Sequence, residues 1–398
     1  TGPVTAKGVE DTAFYRHYPL ASLCEVGGDP SHFGVSLEHF HRRNAERFTR
    51  WPHALLATST HDTKRSEDVR ARINVLSEIP ARWYRALRRW QRLNQSHKTQ
   101  LDHIAVPSHN EEYLIYQTLL GTWPFEVFSE EIRQNYLQRM QEYFVKALRE
   151  AKTNSSWINP NEEYEHAVAN FLTGILSSDG FIHDLTEFQQ VTAHAGMWNS
   201  LAQTLLKITV PGVPDFYQGT ELWNFTLVDP DNRQPVDYEP RQQLLASLRN
   251  AEDQDGKPLA VELLNHATDG RLKLYLTYRA LHFRRTHRAI FEQGRYLSLS
   301  AVGTRALQAI SFARCIQQQT IIVVATRFLA NLPIDISLPV GNAVWQDTVL
   351  LLPEEIAGCY RDVFTGQKIC VQKQADTYVL PLAKVCTYLP IALLEKTA

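Results

Sequence analysis

The chain has 398 residues, 44% hydrophobic and 21% charged, with a formal net charge of −2. That length exceeds one small core and predicts two or three structural units. The near-neutral charge gives no electrostatic ground for binding nucleic acid or an anionic membrane, and no apolar run is long enough to span a bilayer.

The N-terminus, Thr1-Gly2-Pro3-Val4, lacks Met and the basic-then-apolar pattern of a secretory signal. It reads as the interior of a longer protein. The next residues, to about position 35, are rich in Gly, Pro, Asp and Tyr without a steady period, which predicts an ordered loop region with short elements. Leu37 to Arg50 suits a helix, with Ser36 as N-cap and Pro52 just past its end. His53 to Thr58 then predicts a strand. It leads into Ser59-Thr60-His61-Asp62-Thr63, a small-residue turn carrying a His-Asp pair.

From Lys64 to about Gly121 the pattern is helical. Trp83, Leu87 and Trp90 fall on one apolar face, with Arg82, Arg85, Arg88, Arg89 and Arg92 around the rest. A basic helix with interleaved tryptophans is one form of nucleic-acid surface. The overall charge balance favours instead a solvated helix that packs its aromatics. Residues 125–152 and 161–177 predict further helices, as does Trp198 to Val210, stopped by Pro211-Gly212. A short strand, Val213 to Tyr217, precedes Gln218-Gly219-Thr220-Glu221. A polar loop, Val228 to Tyr238, follows, and Leu272 to Phe291 predicts a helix. Beyond about Gln293 the chain becomes β-rich: Ala309 to Ala313, Thr320 to Ala325, Asp335 to Leu338 and Val371 to Leu380. Short strands at such spacing predict an antiparallel sandwich.

Walker, Rossmann, H-E-x-x-H and G-x-S-x-G patterns are all missing from the sequence. The five cysteines, Cys24, Cys315, Cys359, Cys370 and Cys386, include no C-x-x-C pair. Free thiols in a reducing cytosol are expected rather than a disulfide framework. What remains is acids and aromatics on loops, the groups that sugar sites use. Asp62 is the leading candidate, either to stabilise positive charge at an anomeric carbon or to cap a helix starting near Thr63. Tyr217 and Glu221 can line a sugar site or serve as packed Tyr and surface ion pair. The Asp229 to Asp237 loop offers three acids with Asn232 and Arg233, and a plain turn cluster would look the same. Glu10 and Asp11 beside Lys7 and Arg16 read first as an ion-pair network.

Long ordered strings carry a resemblance. They are Ala6-Lys7-Gly8-Val9-Glu10-Asp11-Thr12-Ala13-Phe14-Tyr15-Arg16, Glu25-Val26-Gly27-Gly28-Asp29-Pro30, Ser59 to Arg70, and Pro211 to Glu221, with the Asp229 to Tyr238 loop and Ser156 to Glu162. Over residues 1 to about 240 the chain resembles the maltooligosyltrehalose synthase branch of the α-amylase superfamily.

The resemblance implies α/β plus all-β architecture: a partial (β/α)8 barrel with its C-terminal strands, a large helical insertion and a C-terminal antiparallel β-sandwich. The expected division is 1–80 with the seventh strand, 81–190 as the insertion, 191–295 with the eighth strand and last helix, and 296–398 as the sandwich. It implies retaining intramolecular transglucosylation, turning the reducing-end α-1,4 bond of a maltooligosaccharide into an α,α-1,1 bond. Asp62 would be the transition-state stabiliser. Substrate contacts would fall to His61, Lys64, Arg65, Tyr217, Glu221, Asp231, Arg233, Lys7 and Glu10. No metal, cofactor, nucleic acid or membrane partner is implied, and the location would be cytoplasmic. The nucleophile and acid/base of such enzymes lie on the fourth and fifth strands, upstream of the first motif here. Residues 1–398 are therefore expected to be a C-terminal portion, inactive alone, whose open half-barrel self-associates or closes differently. The competing readings are a related hydrolase that releases trehalose and a non-catalytic glycan-binding piece.

Overall fold

The computed structural model describes residues 1–126, 128–252, 256–332 and 338–397. The N-terminal region holds only helical turns, Val4–Glu10, Ala13–Tyr15 and Ala21–Leu23, as its composition predicts. Helix α1 (Leu37–Arg50) begins where Ser36 Oγ accepts the His39 amide at 3.1 Å, an N-cap bond. Strand β1 is only Leu55–Leu56. Helix α2 (Glu67–Asn74) is capped by Ser66, and α3 (Pro80–Leu93) opens on its proline.

A hairpin, β2 (Thr99–Leu101) and β3 (Ile104–Val106), then interrupts the stretch expected to be helical. Its tip residues Asp102 and His103 both take positive φ, 47° and 67°, the geometry of a tight hairpin turn. Asp-His lacks the glycine that usually announces such a turn, so no local signal marks it. Helix α4 (His109–Thr122) carries a capping box between Ser108 and Glu111. Helices α5 (Glu130–Ala151), α6 (Glu162–Leu176) and α7 (Asp179–Thr209) follow. The last begins at Asp179 rather than Trp198. After β4 (Val213–Pro214) come α8 (Tyr238–Glu252), α9 (Gly256–Asn265), α10 (Arg271–Thr286) and α11 (Arg288–Glu292).

The remainder is mainly strands: β5 (Arg295–Leu299), β6 (Ala301–Val302), β7 (Ala309–Ile316) and β8 (Gln319–Thr326). Then come α12 (Gly341–Trp345), β9 (Val349–Leu352), β10 (Cys359–Asp362), β11 (Lys368–Cys370), β12 (Gln372–Gln374), β13 (Thr377–Pro381), α13 (Leu382–Val385) and β14 (Ala392–Lys396). The strand expected at Asp335 to Leu338 falls largely on residues outside those described.

The chain divides into two units. The first comprises Thr1–Phe33, Ser59–Gly196 and Asn224–Gln234. Its core is helical and aromatic. Trp90 is fully buried and meets Trp83, Tyr116, Phe181 and Phe188 at ring-centroid distances of 5.4 to 5.7 Å. The arginines of α3 lie on its exposed side, Arg89 paired with Asp184. The packed-aromatic reading of this helix therefore holds.

The second unit comprises Gly34–Thr58, Met197–Trp223 and Pro235–Ala398. Here β1 and β4 pair in parallel, Leu55 opposite Val213 and Leu56 opposite Pro214. Gly212 enters this ladder at φ +128°, and a Cβ there would lie 2.7 Å from Leu56 Cδ1. Only glycine tolerates both the conformation and the approach. Among the described residues this is the only parallel ladder, and no closed barrel is present. The β-rich remainder forms two antiparallel sheets, ordered β11-β10-β14-β8-β7-β5 and β12-β13-β9-β6. Ala313, Ile322 and Leu394 of the first sheet and Leu350 and Leu380 of the second share one buried cluster.

One sequence expectation is corrected here. Cys359 and Cys370 sit opposite each other in the β10–β11 ladder and form a disulfide, because antiparallel register brings their sulfurs together. Cys24 and Cys386 are buried free thiols and Cys315 is half-buried. Among the described residues no helix is long and apolar enough to cross a membrane.

Candidate active site

In the first unit, the turn after Ser59 is closed by threonine hydroxyls. Thr63 Oγ1 accepts the Thr60 amide at 2.6 Å, and Thr60 Oγ1 accepts the Asp62 amide at 3.2 Å. Asp62 stands at the tip. It is not a helix cap, since Ser66 caps α2. Its Oδ2 lies 3.4 Å from His61 Nε2 and its Oδ1 lies 3.7 Å from the Arg233 guanidinium. All three side chains are more than half exposed. Pairs this exposed contribute about 0–1 kcal/mol, so they orient the carboxylate more than they stabilise the fold.

Buried groups hold the turn from below. Glu25, 7% exposed, accepts the Lys64 amide at 2.7 Å and the Arg65 amide at 3.0 Å through its two carboxylate oxygens. Lys64 Nζ pairs with Asp11, which also pairs with Lys7. Burial acts to raise the Asp11 carboxyl, but the two ammonium groups outweigh it and hold the acid below its ordinary range. Of the expected ion-pair network Lys7 and Asp11 pair, joined by Lys64, while Arg16 donates to the Ala151 and Lys152 carbonyls instead. Arg65 is 1% exposed and donates to the Ala21 carbonyl at 3.3 Å and the Tyr143 hydroxyl at 3.0 Å. Glu10 Oε1 accepts the Gly27 amide at 3.0 Å. Lys64, Arg65 and Glu10 are therefore engaged with protein. Lys7 is the member of this group with an exposed side chain, and Asp62 is among the charges that raise its ammonium, after Asp11 and Glu150.

The loop from Asn224 to Gln234 interlocks with the turn. The Asn224 amide donates to Asp68 Oδ2 at 2.7 Å, Ser66 N to the Thr226 carbonyl at 3.0 Å, and Val228 N to the Lys64 carbonyl at 3.0 Å. Asn232 Nδ2 donates to the His61 carbonyl at 3.1 Å. Asp231, a candidate substrate contact, is only 14% exposed at its side chain. Arg139 Nε reaches both its oxygens, at 2.9 and 3.1 Å. Beside it Lys146 pairs with Asp229 at 2.7 Å, and a cavity of about 300 Å³ opens between α5 and the loop, lined in part by Asn135, Gln138, Glu142 and Gln234. Arg72 is buried with its guanidinium 3.6 Å from the Phe225 ring centre and 4.5 Å from that of Phe125, and burial lowers it to about 9.

Tyr217 and Glu221 belong to the second unit. The Tyr217 carbonyl accepts the Thr220 amide at 3.2 Å and its hydroxyl at 2.7 Å, closing a turn through Gly219 at φ +84°. Glu221 faces Arg241 at 2.5 Å. The first unit therefore gathers His61, Asp62, Arg233 and Lys7 into one exposed charged group. Asn232 belongs to the loop that the sequence marks out, whereas no local sequence signal points to Glu25 or Arg139, which also build its support. Among the described residues no cluster of His, Cys, Asp or Glu suits a metal ion.

No protein-family model matches the chain. Two curated proteins of Mycobacterium tuberculosis, strains CDC 1551 / Oshkosh and ATCC 25618 / H37Rv, each named "Putative maltooligosyl trehalose synthase", are 38% identical over 368 residues. The match takes in 92% of this chain and 41% of each relative. The solved maltooligosyltrehalose synthase of Arthrobacter ramosus is 33% identical with a TM-score of 0.80, over 100% of this chain and 45% of that one. A "hypothetical maltooligosyl trehalose synthase" of Sulfolobus tokodaii is 30% identical with a TM-score of 0.72, over 99% of this chain and 46% of that one. The chain spans about two-fifths of the length of the curated relatives it matches. The chain is thus a homologue of the maltooligosyl trehalose synthases and corresponds to less than half of their length.

Proposed function

We propose that the chain is part of an isomerase that converts the reducing-end α-1,4 bond of a maltooligosaccharide into an α,α-1,1 bond, and that Asp62 stabilises the transition state. The observation that carries this reading is Asp62 itself. It is an exposed carboxylate on a turn whose backbone is held by buried Glu25 on one side and by Asn232 on the other. A carboxylate fixed before substrate arrives can stabilise oxocarbenium-like charge without reorganising. His61 and Arg233, on either side of it, are placed to hold sugar hydroxyls. Lys64, Arg65, Asp231 and Glu10 act as anchors of this turn and its neighbours, while Lys7, paired with Asp11, offers an exposed ammonium at its rim.

In this reading β1 and β4 are the last two strands of a barrel, residues 81–190 are its helical insertion, and the two antiparallel sheets are the closing sandwich. Residues 1–80 and 191–295 supply barrel segments. In this reading Asp62 works with a nucleophile and an acid/base that residues 1–398 do not supply, and residues 1–398 alone would not turn over substrate. The test is to incubate the full natural protein with maltopentaose and follow loss of reducing ends at constant glucose content. Accumulation of a non-reducing product of the same mass supports the reading. Release of shorter reducing sugars without that product overturns it in favour of a hydrolase.

A further inference from the structure

We infer that Arg139, on α5, is a positioning residue for Asp62, acting through the loop that carries Asp231, Asn232 and Arg233. The inference rests on the assignment of Asp62 above and deepens it. Arg139 contacts none of the groups at the tip of the turn. Its Nε bridges both oxygens of Asp231, at 2.9 and 3.1 Å, and its Nη2 donates to the Phe225 carbonyl. One guanidinium thus ties both ends of the loop. Asp231 Oδ2 also accepts the Leu227 amide at 2.7 Å, which closes the loop on itself.

The two residues after Asp231 are the ones that reach the His61-Asp62 tip. Asn232 donates to the His61 carbonyl at 3.1 Å, and Arg233 stands 3.7 Å from the Asp62 carboxylate. Arg139 shares its Nε–H between the two Asp231 oxygens and gives Nη2 to the Phe225 carbonyl, so one rigid guanidinium plane fixes both partners, which a lysine ammonium does not. The Arg139 and Asp231 side chains are 28% and 14% exposed, so solvent screens the pair less than it screens His61 and Asp62. The path runs from helix α5 to Asp231, then along two residues of backbone to the carbonyl and carboxylate at the tip. Each step is a contact within one unit. Loss of the Arg139 contacts frees Asp231, and with it Asn232 and Arg233, so Asp62 loses its support from the loop while Glu25 still holds the residues beyond it.

The experiment combines hydrogen exchange with a double-mutant cycle in the full natural protein. Arg139→Met, Arg139→Lys, Asp62→Asn and the Arg139→Met/Asp62→Asn double variant are compared. Arg133→Met, on the same helix but paired with Glu130 at the surface, is the control. Arg139→Met is expected to raise exchange at the Leu227, Val228 and Ser66 amides at least tenfold. It should lower kcat at least tenfold with KM changed less than threefold. Arg139→Lys should recover kcat only in part. In the Asp62→Asn background, Arg139→Met should cost less than threefold more, because its effect passes through that carboxylate.

Unchanged exchange at these amides overturns the inference. So do losses that multiply in the double variant, which would mean Arg139 acts by another route. If Asp62→Asn alone leaves kcat within tenfold, the assignment of Asp62 fails and the inference falls with it. A severe Asp62→Asn with multiplying losses removes the inference alone.

Discussion

Glu25 Oε1 accepts the backbone amide of Lys64 at 2.7 Å, joining two segments 39 residues apart in the chain. Its other oxygen takes the Arg65 amide at 3.0 Å. One buried side chain therefore sets the backbone just beyond the His-Asp tip. Hydrogen bonds to a charged acceptor contribute about 1.5–3 kcal/mol each, and the amides orphaned by its loss would be buried. Glu25→Ala is expected to lower stability by about 2–4 kcal/mol and to reduce activity of the full natural protein. A urea titration followed by tryptophan fluorescence, showing a loss below about 0.5 kcal/mol, would contradict this.

Trp90 organises the helical core of the first unit, with four aromatic neighbours and no exposed surface. Truncating a buried tryptophan costs about 3–5 kcal/mol, through lost burial and the cavity left behind. Trp90→Ala should therefore weaken near-ultraviolet dichroism and lower the melting temperature of this unit. Trp51→Ala, at a tryptophan that is 71% exposed, should do neither.

Burial pushes the Asp362 carboxyl up to about 7, against the pull of the Phe364 and Thr365 amides that donate to it. An acid whose folded pKa lies above its unfolded value of 3.8 binds its proton more tightly in the folded state. Its contribution to stability is full below about pH 4 and is lost as pH rises through about 7. Asp362→Asn keeps an acceptor for the two amides and carries no charge. The variant should gain on the wild type in thermal stability between pH 5 and 8, by up to about 3 kcal/mol. A constant difference in melting temperature across that range would rule the idea out.

The Cys359–Cys370 disulfide closes a short segment, the two residues lying 11 apart in sequence. Loop-closure entropy for a loop this short is worth about 3 kcal/mol at most, and the β10–β11 ladder already restrains it. Replacing both residues by serine should lower the denaturation midpoint of the second unit by an amount within that bound. Wild-type protein treated with a reductant should shift to match. A reductant that leaves the wild-type midpoint unmoved would show the bond to be dispensable.

Local chemistry was legible in the sequence, and distant chemistry was not. Helix α1 is announced by its own residues, Ser36 at one end and the approach to Pro52 at the other. The antiparallel character of β7, β8 and β13 follows from β-branched runs between turns. The turn at His61 and Asp62 was visible after its strand, but choosing between cap and free carboxylate required seeing Ser66 cap α2. Helix α7 extends to Asp179 because its N-terminal half packs Phe181 and Phe188 on Trp90, a tertiary cause with no local signal. Glu25 and Arg139 have partners 39 and 92 residues away, so nothing beside them in sequence states their role. The disulfide escaped for the same reason: its pairing depends on register, and the cysteine spacing matches no motif.

The most direct test of the central claim is the turnover of Asp62→Asn in the full natural protein with maltopentaose, measured beside its affinity for the same sugar by calorimetry. Removing a preorganised charge at a transition state typically costs about 10²–10³ in rate. A fall in kcat of more than about a hundredfold with affinity changed less than about threefold is expected. A fall of less than about tenfold, roughly 1.4 kcal/mol, would contradict it.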